Sequence, residues 1–114
     1  MKCIFKYELS PMPGRQDVWI SDGAEVLSAQ AINDRIQVWV MVNSKASPAR
    51  YRFHKVFTGQ EVPPNPGKFI GTVVMGNGSL VVHIFQTRLI QSAFECQNID
   101  ESEAEAKVLV GVPA

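Results

Sequence analysis

Cysteine and histidine are scarce in this chain, long apolar runs are missing and net charge is zero; each shortage excludes something. Only two cysteines occur, Cys3 and Cys96, near opposite ends of the 114 residues. With no C-x-x-C pair and no Cys/His cluster, no metal site is expected, and the thiols read as free and partly buried. Only two histidines are present, His54 and His83. Neither has a serine, cysteine or acid placed by sequence to complete a triad, although triads assemble through the fold. No apolar run approaches the roughly 20 residues of a membrane helix. The N-terminus runs straight into Lys2-Cys3-Ile4-Phe5-Lys6 without a cleavage site, so no signal peptide and no membrane partner are expected and the cytoplasm is the default location. Gly67-x-x-x-Gly71 and Gly76-x-Gly78 are followed by neither a helix nor Lys-Ser/Thr, so no phosphate loop and no cofactor are expected.

What is present is a β-rich pattern. A hydrophobic content of 46% suits one domain able to bury a core without disulfides or metal. The formal net charge of +0 hides an asymmetry: from Glu95 onward, Glu95, Asp100, Glu101, Glu103 and Glu105 face only Lys107. The body is therefore mildly basic and the tail acidic, an imbalance too small to make nucleic acid an expected partner.

The most distinctive stretch is Pro63–Gln86. Two runs rich in β-branched residues, Lys68–Met75 and Leu80–Phe85, flank Gly76-Asn77-Gly78-Ser79, residue types that accept the positive φ of tight turns. Neither run alternates cleanly, which predicts strands covered on both faces and a hairpin in the middle of the core. Upstream, Cys3–Leu9 alternates as a half-buried strand and is ended by Ser10-Pro11-Met12-Pro13-Gly14. Asp17–Ile20 reads as a short strand. Glu25–Ile32 and Arg35–Val42 read as a hairpin across Asn33-Asp34, with Ile36, Val38, Val40 and Val42 on its core face. Ala49–Phe57 alternates Tyr51, Phe53, Lys55 and Phe57 against Arg50, Arg52, His54 and Val56. The expectation is an all-β fold, a small sandwich or barrel of about seven antiparallel strands. Its β-rich domain spans 1–86, and 87–114 is a short acidic extension. In that extension Thr87–Cys96 fits a short helix or a strand, and Asp100–Glu103 resembles a capping box opening a brief helix. The apolar residues Leu89, Ile90, Phe94 and 108–112 need a surface to cover, which predicts a homo-oligomer.

The candidate site is the one electrostatic cluster. Residues 45–55 hold Lys45, Arg50, Arg52, His54 and Lys55 and no acid. Arg50, Arg52 and His54, two apart, share one strand face, and guanidinium forks suit phosphate or carboxylate. An aromatic such as Trp39 or Tyr51 would stack on a base. The same face also reads as a solvated outer strand guarded by its charges against edge pairing. His83 reads as a buried imidazole bonded to a backbone carbonyl, His54 as exposed.

The set Arg52-Phe53, Thr58-Gly59, Phe69-Ile70-Gly71-Thr72-Val73, Leu80-Val81 and His83-x-Phe85, with Ile4–Tyr7 and Gly23–Ser28, resembles a family of short uncharacterised β-rich proteins encoded mainly by bacteriophages. The likeness covers about residues 1–86. Members often carry histidine where this chain has Gln60, so a site depending on that position would differ here. The resemblance implies a compact phage protein without established activity. The expected function is a non-enzymatic binding protein in the host cytoplasm that antagonises host defence. It would do so by sequestering a nucleotide signal (an anionic small molecule) or by occupying a host protein. A virion structural or assembly protein is the alternative, and a phosphate-ester enzyme using His54 or His83 ranks last.

Overall fold

Asn33 and Asp34 both sit at positive φ, 52° and 59°, the condition for a two-residue hairpin turn whose twist matches its strands. They join β3 (Glu25–Ile32) to β4 (Arg35–Asn43), the hairpin expected from the sequence. The computed structural model describes residues 1–89 and 112–113. Around this hairpin it places β1 (Lys2–Leu9), β2 (Gly14–Ser21), β5 (Pro48–Phe57), β6 (Lys68–Met75), β7 (Leu80–Arg88) and a two-residue β8 (Val112–Pro113). Two four-stranded antiparallel sheets result, ordered β3-β4-β1-β8 and β2-β5-β7-β6. The fold is all-β, as the alternating patterns predict.

The inner faces of the two sheets make the core. Ile36, Val38, Val40 and Val42 of β4 are buried as expected, and meet Leu9, Val18, Ile20, Tyr51, Phe53, Val82 and Ile84. Edge strands β3 and β6 lie close together, and the two hairpin turns are tied there: the Gly76 amide donates to Asp34 Oδ1 at 3.0 Å. At the other end, Tyr51 Oη accepts from the Ala24 amide (3.0 Å) and donates to the Ser21 carbonyl (3.4 Å), pinning the β2–β3 turn to β5.

The expected central hairpin is corrected. Its second strand, β7, is interior, with Val82 and Ile84 fully buried, but β6 is an edge strand whose Phe69 and Val74 are 52% and 54% exposed. A bulge between Phe69 and Gly71 shifts its register, so its apolar run covers two faces of which only one meets the core. Two further boundaries differ. β2 begins at Gly14 and not Asp17, because Gly14 at φ 109° carries the chain out of the proline turn directly into the strand. β7 continues through Thr87 and Arg88, so the helix considered from Thr87 does not start there, and Leu89 donates its amide to the Arg50 carbonyl (2.8 Å). The rest of that segment, the capping box and Cys96 lie outside the described residues, while Val112 and Pro113 pair with Lys6 and Phe5 of the same chain.

Candidate functional site

Sheet β2-β5-β7-β6 is lopsided in charge. Its strands contain Arg15, Arg50, Arg52, Lys55, Lys68 and Arg88, and a single acid, Asp17. Strand alternation sorts them. Tyr51, Phe53 and Lys55 point inward, and Arg50, Arg52 and His54 share the outer face. The register then adds neighbours that the β5 sequence cannot show: Trp19 opposite Arg50, Asp17 opposite Arg52, Arg15 and Phe85 opposite His54.

Asp17 organises the face. Only 3% exposed, its carboxylate accepts both prongs of the Arg52 fork, from Nε at 2.8 Å and Nη2 at 3.1 Å. Arg50 Nε lies 3.3 Å from Asp17 Oδ2 yet makes no hydrogen bond there, because it is misaligned. That contact is an ion pair without hydrogen-bond geometry, and the buried Nε is left without a hydrogen-bond partner. Arg52 is a positioned cation whose fork is already filled, so the expectation that Arg52 offers its fork to a ligand is revised. Desolvation first, then the positive charges of Arg52 and Arg15, hold the His54 imidazole below its ordinary value, with Asp17 opposing them. On this face the one acid, Asp17, stands among three arginines, Arg15, Arg50 and Arg52.

Of the five residues singled out from sequence, the structure brings Arg50, Arg52 and His54 together and separates the other two. Tyr51 is 2% exposed in the core, and Trp39 lies on the outer face of the opposite sheet, paired with Lys6 and Ser28. The aromatics that do flank the basic strip are Trp19 and the edge-to-face pair Phe69–Phe85, with ring centroids 5.4 Å apart. Sequence could have pointed to Trp19 through the period-two set Arg15-x-Asp17-x-Trp19, had the strand been read from Gly14.

Lys55 leaves the cluster altogether. Its ammonium is buried and donates to the Ser10 carbonyl (2.7 Å) and Gln16 Oε1 (3.0 Å). Beside it a cleft of about 640 Å³ opens between the β1–β2 and β5–β6 loops, lined by Arg15, His54, Gln60 and Glu61 among others. Gln60 Oε1 accepts the Phe57 amide (3.0 Å) and so closes its own turn. His83 is neither deeply buried nor bonded to a carbonyl. Its ring bridges two hydroxyls, Thr58 Oγ1 to Nε2 at 2.8 Å and Thr72 Oγ1 to Nδ1 at 3.0 Å. Among the described residues no three metal-ligating side chains gather, and no helix is long and apolar enough to cross a membrane.

The family model for DUF7352, a domain of unknown function, matches residues 1–93. The chain belongs to the DUF7352 family. The match takes in every strand that builds the basic face, so in this DUF7352 domain the candidate site lies wholly within the family region. No curated protein and no solved structure matches the chain.

Proposed function

We propose that this DUF7352 protein is phage-encoded and acts as a non-enzymatic binding protein. Its ligand is an anion bearing a planar ring, a nucleotide in chemical class, held on the outer face of sheet β2-β5-β7-β6. The observation that carries this reading is the Arg50–Trp19 pair: a guanidinium ion-paired with Asp17 but not hydrogen-bonded to it through Nε, and an indole directly opposite on one sheet face. An arginine supplies phosphate recognition and an indole supplies stacking. The resemblance to phage proteins supports the setting, the cytoplasm of an infected bacterium, where holding a nucleotide signal would antagonise defence. The binding of His83 by two hydroxyls supports a structural rather than catalytic use of that ring.

A second reading has its own support. Phe69 and Val74, each about half exposed on β6, form an apolar margin to the same face, the kind of patch that a host protein would cover.

Calorimetry with nucleoside monophosphates tests the first reading. Arg50→Ala should weaken binding by about 1.5–3 kcal/mol, the range for hydrogen bonds to charged groups. Arg50→Lys should also lose affinity, because a point charge does not replace a fork. Arg35→Ala, on the opposite sheet, should leave affinity unchanged. Failure of every nucleotide to bind would overturn the reading.

A further inference from the structure

The outer face of sheet β2-β5-β7-β6 carries two aromatic platforms. Trp19 stands opposite Arg50, and Phe85 stands opposite His54 with Phe69 packed on it. Arg52 lies between them on β5, so the order across the face is aromatic, Arg50, Arg52, His54, aromatic. Four residues along β5 and two strand spacings across it separate Trp19 from Phe85, a diagonal of about 16 Å. One mononucleotide cannot occupy both platforms at that distance. A single strand advances roughly 3.4 Å per nucleotide when stacked and more when stretched, so about three to five nucleotides reach from one platform to the other.

We propose that the ligand of this face is a short linear single-stranded oligonucleotide, with one base on Trp19, another on the Phe69–Phe85 pair, and its phosphates over Arg50 and the strip beside it. This rests on the nucleotide reading above and extends it from one base to several. Three observations support it. On this outer face three arginines, Arg15, Arg50 and Arg52, stand against one acid, Asp17, so the occupant is anionic. At His54, the Phe85 end of the strip, burial and then the charges of Arg52 and Arg15 disfavour the protonated ring against the opposing charge of Asp17, so pairing with Asp17 does not cancel them. Phe69 is 52% exposed, an aromatic left open at the far end. Stacking on aromatics plus a basic track is how sheet surfaces bind single strands without reading their sequence.

The test is a length series of oligothymidylates, one to six nucleotides, with a cyclic dinucleotide alongside. Binding is followed by tryptophan fluorescence in a Trp39→Phe variant, in which Trp19 is the only indole of the chain. Affinity should rise at least tenfold between one and four nucleotides and then level off, with the Trp19 emission quenched throughout. Phe69→Ala should return the tetranucleotide to the affinity of the mononucleotide. Mononucleotide binding that gains less than about threefold with length would overturn this inference and leave the nucleotide reading standing. Tighter binding of the cyclic dinucleotide than of the linear tetramer would also overturn it. Absence of binding at every length would overturn both.

Discussion

Asp17 is the residue on which the basic face depends, because a carboxylate 3% exposed between two arginines is tolerable only while they are there. Removing Arg52 strips away its bidentate partner and leaves a buried charge, and such losses cost about 3–5 kcal/mol. Arg50, which gives no hydrogen bond to Asp17, should cost well under half of that. Urea denaturation of Arg52→Ala and Arg50→Ala checks the order, and equal destabilisation would show that the two arginines share the carboxylate. His54 makes a separate prediction. Its folded value is lowered from 6.5 by burial, Arg52 and Arg15, so below that pH the unfolded chain takes up a proton that the folded one resists. Stability is then full above about pH 6.5 and falls as pH drops toward the folded value. His54→Gln should flatten that part of the stability–pH curve, measured by thermal melts between pH 7.5 and 5, and an unchanged slope would mean that other groups set it. These residues also mark how far the site was legible. Arg50, Arg52 and His54 were visible because two-residue spacing on one strand dictates a shared face. Asp17, Trp19 and Phe85 were not, because they reach that face through pairing across β2 and β7, which local spacing does not encode.

Within the β6–β7 element the two strands have opposite roles. Ile84 on β7 is fully buried and Val74 on β6 is 54% exposed. Ile84→Val should cost about 0.5–1.5 kcal/mol through the lost methylene, whereas Val74→Ala should stay within about 0.5 kcal/mol, as surface changes do. Chemical denaturation of both variants checks this, and similar costs would mean that the β6 edge is covered. The β3–β4 hairpin was fully legible, since Asn33-Asp34 accepts positive φ and Ile36, Val38, Val40 and Val42 alternate without interruption. The place of β6 was not. A strand with apolar residues on both faces looks interior by sequence, but here its outer residues border an exposed aromatic surface, and the bulge between Phe69 and Gly71 breaks the alternation. An apolar run records that both faces are apolar, and says nothing of what, if anything, covers them.

At the scale of the whole molecule the two sheets have four edges, and they are treated differently. β3 and β6 lie side by side, which shields both. On the other side β1 is followed only by β8, whose Val112 and Pro113 pair with Lys6 and Phe5. The described residues of the apolar C-terminus are thus engaged with the same chain, and the backbone of β1 is what they cover. An uncovered strand edge is a template for a second chain, and Ile4, 44% exposed on β1, would add apolar contact to such pairing. Lys2, Lys6 and Glu8 on the same strand work against it, since charges on an edge disfavour close approach of another copy. The balance can be measured by deleting residues 112–114. If β8 is the main guard, the truncated protein should keep its β-sheet circular dichroism while its mass by light scattering rises with concentration toward that of two copies. Lys6→Val in the same background should strengthen the effect. A truncated chain whose mass matches that of the full chain at every concentration would show that the charged residues of β1 protect the edge by themselves, and that β8 contributes no protection.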